Sequence, residues 1–269
     1  MKPDIVTGDL RIAASADEVL ASHFTLVSQP GAIETLEVEG AAGWTSSNPH
    51  PVLSLMRWTT SDKEVAAAAL EEIIKRFRAD QRGFDWMTGP REENLTPLLY
   101  ERGFLPPPLD VAAMAMEIPS DYHAPDPDGI RIAMVDDATD MRFSDIMSAG
   151  FDVTNEVGAI YHRAYMTPSP LQQSVLYGAW LDDTETPVGV GYLSYIGDGP
   201  AVLMRVSSTL TAFRGRGVYR ALVQRRLAEA ARQGRKLAFV HAYSETSQNA
   251  LAEMGFKIVG ELQLHRWRP

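Results

Sequence analysis

The chain has 269 residues, 45% of them apolar and 22% charged, and a net charge of −10. That length suits one large or two ordinary domains, the composition is that of a globular protein, and the acidic balance argues against a nucleic-acid partner. There are no cysteines, which excludes disulfides, thiolate metal sites and a cysteine nucleophile.

The first 30 residues carry Asp4, Asp9, Arg11, Asp17 and Glu18 and no apolar signal core. No run approaches the ~18 apolar residues of a membrane span. The expectation is a cytoplasmic protein. Its six histidines are scattered, with no i, i+4 pair to suggest zinc.

Asp62 to Gln81 reads as a long amphipathic helix, Phe84 to Thr88 as a strand, and Leu99 to Phe104 as a helix ending on Gly-Phe. Ile118 to Gly129, with three prolines and three aspartates, reads as a linker. It divides the chain into residues 1–118 and 129–269, with 119–128 between.

The second part repeats the order of the first. Ala201 to Ser208 is extended, a helix runs from Gly217 to about Gln233, and Lys236 to Tyr243 is a strand. A short helix, Thr246 to Glu253, then ends on Gly255-Phe256, and Leu262 to Trp267 is a last strand. Gly83 to Gly103 spans 20 positions and Gly234 to Gly255 spans 21. Two helix–glycine–strand–helix–Gly-Phe units at nearly equal spacing suggest duplication of one fold, with chance as the alternative, since Leu-x-Glu-x-Gly-Phe is a common helix ending.

Between that extended segment and the long helix stands Arg214-Gly215-Arg216-Gly217-Val218-Tyr219-Arg220. A strand, a glycine turn and a helix start make an anion site. Glycine lets backbone approach a ligand, the first helical N–H groups point at it, and arginines add charge-assisted donors. The chain has no Gly-Lys pair for a Walker loop. The third glycine of a dinucleotide fingerprint is replaced by Arg220. From Arg205 to Lys236 there are nine Lys/Arg and one acid, Glu229, a basic island suited to a compact anion. Arg225, Arg226 and Arg232 are expected on a solvated helix face.

The turn resembles the acetyl-CoA loop of the GNAT family of N-acetyltransferases, [QR]-x-x-G-x-[GA]. Arg214 and Gly217 match it, while Tyr219 stands where Gly or Ala is usual. The order of elements through Phe256 is similar as well. The resemblance covers about residues 129–269 and is specific from Leu203 to Phe256. It implies an α/β protein with a mixed sheet of the α+β kind, in two tandem GNAT-like domains. The first is a degenerate copy, because Thr59 to Lys63 has no glycine and puts Asp62 at the helix start, where a carboxylate competes with phosphate.

What the resemblance implies for chemistry is acetyl transfer from acetyl-CoA, as co-substrate, to the amine of a small molecule or peptide. The pyrophosphate would meet residues Arg214 to Arg220, and Ser207, Ser208 and Thr209 would hold the pantetheine arm through their backbone. Ser247 falls where members often have Ser or Ala. The thioester would reach between two splayed strands, Val202 to Thr209 and Lys236 to Tyr243. The family's frequent acid, a Tyr, is replaced by Leu251, and Leu203 and Met204 stand where some members keep a Glu base.

By strand alternation His241 and Tyr243 share a face with Phe239 beside that channel. Tyr243 is the candidate acid and His241 the candidate base, with a hydrogen-bonded core residue as the alternative for His241. Glu156, Tyr161, His162 and Tyr165 fall where members carry acceptor-binding helices, and a solvated helix face explains them equally. A CoA-sensing or partner-binding protein without turnover is the rival to an enzyme.

Overall fold

The computed structural model describes residues 33–107, 110–168 and 172–269. The N-terminal segment read above for targeting lies outside them. Among the described residues no helix is long and apolar enough to cross a membrane.

Strands β1 (Glu34–Val38) and β2 (Ala41–Thr45) form a hairpin, and β3 (Leu55–Trp58) pairs antiparallel with β2. Helix α1 (Lys63–Ala79) follows. Its buried residues Ala66, Ala69, Leu70, Ile73, Ile74 and Phe77 repeat every three or four positions, which puts them on one stripe. That stripe packs against Trp58, Phe84 and Trp86. Strand β4 (Phe84–Thr88) lies parallel to β3, helix α2 (Thr96–Glu101) ends near Gly103 at φ +81, and β5 (Asp110–Glu117) closes the first part. Residues 118–129 contain no helix or strand.

The second part runs β6 (Ile130–Val135), α3 (Arg142–Phe151), α4 (Asn155–Met166), β7 (Gln172–Leu181), β8 (Gly189–Ile196) and β9 (Ala201–Thr209). It continues with α5 (Val218–Arg232), β10 (Leu237–Ala242), α6 (Glu245–Glu253) and β11 (Lys257–Trp267). Helix α5 buries Leu222, Val223 and Leu227 against one face of the sheet. Full burial of such a side chain contributes roughly 1.5–3 kcal/mol. Helices α3 and α4 cover the other face through Phe143, Ile146, Met147 and Tyr165.

All the described strands join one 11-stranded sheet in the order β1-β2-β3-β4-β11-β5-β10-β9-β8-β7-β6. Each part therefore gives its last strand to the other. Strand β11 pairs antiparallel with β4, and β5 pairs antiparallel with β10. The exchanged strands also pair with each other. Arg266 on β11 stands opposite Asp85 on β4, and its guanidinium forks onto the carboxylate at 2.7 and 2.8 Å.

Most predicted elements stand within a residue or two of their expected bounds, but β11 begins at Lys257 rather than Leu262. Its register against β5 shifts between Ile258 and Gly260. Such an irregularity breaks the period-two alternation by which a strand is read from sequence.

Candidate functional site

Gly215 and Gly217 both have left-handed backbone, φ +77 and +84. Only glycine takes such angles without strain. Gly217 is the N-cap of α5, and no side chain caps that helix. Its first-turn N–H groups therefore lack the usual N-cap acceptor. A Cβ added at Gly215 would meet nothing within 4 Å, and one at Gly217 only Ile130 at 3.6 Å.

The arginines around the turn hold weak partners. Arg214 Nε donates to the Thr209 carbonyl at 3.2 Å, Arg216 lies 3.4 Å from Asp183, and Arg220 pairs with Glu253. Exposed ion pairs of this kind contribute about 0–1 kcal/mol, so they yield readily to a stronger anion. Val218 is buried and Tyr219 partly buried against the α5 side of the core.

The strand before the turn is bent. Gly191 of β8 faces Ser207 of β9, but its neighbour Tyr192 faces Arg205, which leaves Val206 unpaired. Val206 has φ +42. A β-branched residue there is strained by roughly 1–3 kcal/mol and persists only where its surroundings fix it. On its other edge β9 pairs with parallel β10 only from Ala201↔Leu237 to Met204↔Val240. Beyond that the strands part, while β10 stays paired with β5 to Ala242↔Ala112. The bulge sits at the start of this splay.

Arg226 departs from expectation. It is fully buried rather than solvated, whereas Arg225 is exposed and Arg232 pairs with Glu229 at the surface. It stands one turn after Leu222, on the stripe that meets the sheet, where the bulge leaves carbonyls to be satisfied. Its NH1 donates to the Tyr192 and Arg205 carbonyls at 2.9 and 3.3 Å, NH2 to Ser207 Oγ at 2.6 Å, and Nε to the Leu222 carbonyl at 3.0 Å. Burial lowers its pKa to about 10, so it remains a cation at neutral pH.

The other predicted β9 residues are also engaged. Ser208 Oγ donates to the Ile146 carbonyl at 2.8 Å, which ties α3 to the strand. Gly150 sits so close to Ser208 that a Cβ there would lie 1.8 Å from its hydroxyl. The Thr209 carbonyl receives Arg214. Ser247 belongs to the cap of α6: its N–H donates to Ser244 Oγ and its hydroxyl to the Ser244 carbonyl. Leu251 is fully buried on the α5 side.

On the α3–α4 face of the splay stands a cluster of phenols around a cation. Arg205 is buried, its guanidinium carbon lies 5.4 Å from the Tyr165 ring centre, and it donates to the Tyr165 hydroxyl. Tyr161 stacks on Tyr165 at 5.8 Å and donates to the Val52 carbonyl of the first part. Tyr243 meets Phe151 edge-on at 6.3 Å, at a rim where both reach solvent. Desolvation by the packed surroundings, then the Tyr165 phenol, raises the Tyr243 pKa. Burial, then Arg205, lowers that of His241 to about 4. At neutral pH Tyr243 therefore holds its proton and His241 is uncharged.

Of the four α4 residues, His162 is a core residue. Its Nδ1 lies 2.6 Å from the Tyr192 hydroxyl and its Nε2 3.0 Å from the Ala138 carbonyl. Tyr161 and Tyr165 join the cluster, and Glu156 is exposed. Glu156 lines a cavity of about 720 Å³ between the segment Ser47 to Pro51 and the face of α4 carrying Val157, Ile160 and Arg163.

The first part carries the counterpart of the glycine turn, and there a side chain caps the helix. Asp62 is the N-cap of α1, and its Oδ1 accepts from Glu64 N and Val65 N at 2.9 and 3.0 Å. Strands β3 and β4 also pair briefly, at Leu55↔Asp85 and Met56↔Trp86, and then part. Trp58 and Trp86, both buried, pack at 4.8 Å just there.

No family model and no curated protein matches the chain by sequence. Solved structures match it across nearly its whole length. A GCN5-related N-acetyltransferase from Kribbella flavida superposes with a TM-score of 0.69 at 18% identity, covering 98% of this chain and 96% of that one. Another from Sphaerobacter thermophilus gives 0.64 at 17%, covering 94% and 86%. A tandem GNAT protein from the clavulanic acid biosynthesis pathway gives 0.65 at 12%, covering 99% and 90%.

Proposed function

We propose that this chain, which has the GNAT N-acetyltransferase fold in tandem form, transfers acetyl from acetyl-CoA to a primary amine of a small molecule or peptide. The observation that carries this is the uncapped start of α5 behind two left-handed glycines, next to the splay of β9 and β10. The residues fit a pyrophosphate: backbone donors and a helix dipole meet at one turn whose sequence carries three arginines.

Acetyl-CoA would supply an activated acyl carbon: a C–N bond forms to the amine, the C–S bond breaks, and the amine's proton ends on the thiolate. Gly215, Gly217 and the first N–H groups of α5 bind the phosphates. The backbone of Ser207 to Thr209 guides the pantetheine arm to the gap. A backbone N–H at the bulge faces the carbonyl oxygen as it takes on charge. Tyr243, protonated at neutral pH, gives its proton to the departing sulfur and is reprotonated by the one the nitrogen loses, so that the net transfer is from amine to thiolate. His241 contributes as a neutral hydrogen-bonding group, since an imidazole with a pKa of about 4 is too weak a base for an ammonium of pKa ~10. The amine therefore loses its first proton to solvent. The cavity beside Glu156 is the proposed acceptor entry. The first part is proposed to bind no CoA.

One observation favours a second reading, a CoA-sensing or partner-binding protein without turnover. Leu251, where the family often has its acid, is apolar and fully buried. Thiol release with acetyl-CoA against a panel of amines separates the two. Amine-dependent release supports the transferase, and binding without release supports the sensor.

A further inference from the structure

The bulge that would aim the oxyanion donor is held from behind by one side chain. We infer that Arg226 is a positioning residue for acyl transfer: its buried guanidinium fixes the Val206 bulge and so directs the backbone N–H of Val206 into the splay. The inference rests on the proposed transferase reading.

Three observations support it. First, Val206 is β-branched with φ +42, a conformation that relaxes unless something outside the strand holds it. Second, Arg226 supplies that hold from a different element. Its NH1 takes the carbonyls of Tyr192 and Arg205, the two residues that face each other across the irregular register, and its NH2 takes Ser207 on the far side of the bulge. Third, the opposing strand makes room for it. Gly191 lies so close that a Cβ would fall 2.9 Å from the guanidinium carbon and 3.1 Å from both Nε and NH1.

The direction of the N–H follows from peptide geometry. No described peptide bond is cis, and in a trans peptide the C=O and N–H point opposite ways. The Arg205 carbonyl turns toward α5 to meet the Arg226 guanidinium. The N–H of Val206 in the same peptide therefore turns away from α5, at the level where β9 has parted from β10. Apolar residues fill the rest of the α5 stripe. A cation among them is costly to bury unless its donors are used, and here each guanidinium nitrogen has an acceptor.

The test uses the full chain and two variants. Arg226→Met keeps length and bulk and removes the donors. Gly191→Ala leaves Arg226 and α5 intact but pushes a methyl against the guanidinium. In both, kcat should fall by at least about tenfold, short of or within the ~10²–10³ that loss of an oxyanion donor costs. Acetyl-CoA affinity by calorimetry should stay within about threefold, because the phosphates are held by the separate turn. Arg226→Lys should recover part of the loss. A folded Arg226→Met chain with kcat within twofold of the parent overturns the inference, as does a Gly191→Ala chain with parental kcat if Arg226→Met does not fold. If the parent turns over no amine, the transferase reading fails separately. The brace is then read from amide hydrogen exchange along β9. Faster exchange in the variants at Ser208, whose pairing with Val190 adjoins the bulge, with Ala201 to Leu203 unchanged, upholds the brace, and unchanged exchange throughout overturns it.

Discussion

Asp62 and Gly217 hold the same place in the two repeated units, the residue before the long helix, and treat its free N–H groups in opposite ways. Asp62 fills two of them with its own carboxylate, whereas Gly217 has no side chain to offer and leaves them open. One residue type thus separates a self-capped helix start from one its N-cap residue leaves uncapped.

Asp62→Ala should destabilise the protein by about 1 kcal/mol, the usual cost of a lost N-cap. It should not create a second cofactor site, because Trp58 and Trp86 remain packed where β3 and β4 part. Thermal unfolding measures the first effect. Calorimetry of the variant should still give one acetyl-CoA per chain, and two would contradict the account of the first part.

Tyr243→Phe should lower kcat by ~10²–10⁴, the range for a general acid, and leave acetyl-CoA affinity nearly unchanged. Its raised pKa keeps the phenol protonated through neutral pH, so the parent should show no basic limb there from this residue. Turnover within about twofold of the parent would make Tyr243 a packing residue.

The two parts should unfold together. Strands β11 and β5 are exchanged between them, and Arg266 forks onto buried Asp85 across β11 and β4. Removing one partner of a buried pair costs ~3–5 kcal/mol. Arg266 is 31% exposed at its side chain, so about 2 kcal/mol is expected for Asp85→Asn. Urea unfolding should show one transition in both proteins, with a lower midpoint in the variant. Two resolved transitions in the parent would contradict the shared sheet.

Stability should fall in mild acid. His241 and His265 both have folded pKa values lowered by burial to about 4, below the unfolded value of about 6.5. The unfolded chain therefore binds more protons between those limits. The contribution is fully present above pH ~6.5 and is lost as pH falls toward 4, by roughly 3 kcal/mol at most for each group. His265 lies 3.0 Å from Thr88 Oγ1. His265→Gln can keep that bond while removing the titration, so its urea midpoint should drop less than the parent's between pH 6.5 and 4.5. An equal drop would contradict the assignment.

The glycine turn and the helix it opens were legible because they depend on local residues. Two glycines, three arginines and a helix start lie within seven positions, and the strand at Lys236 and the cap at Asp62 carry equally local signals. The strand exchange was not legible, because pairing partners far apart in sequence leave no periodicity. Arg226 and His162 were misread for a related reason. A charged or polar residue on a helix reads as solvated unless its distant acceptors are known, here the carbonyls of Tyr192, Arg205 and Ala138. The bulge at Val206 hid in an ordinary β-forming sequence, and the shift beside Gly260 hid the start of β11.

The central claim is that the backbone of the Gly215–Gly217 turn holds the pyrophosphate of acetyl-CoA. Calorimetric titration of the parent and of Gly217→Glu tests it most directly. The substitution adds bulk and negative charge where a Cβ has only Ile130 nearby, at a φ that side chains resist, and circular dichroism reports whether the fold survives. The account predicts one site per chain in the parent and no detectable binding in a folded Gly217→Glu variant. Unchanged affinity in that variant would contradict it.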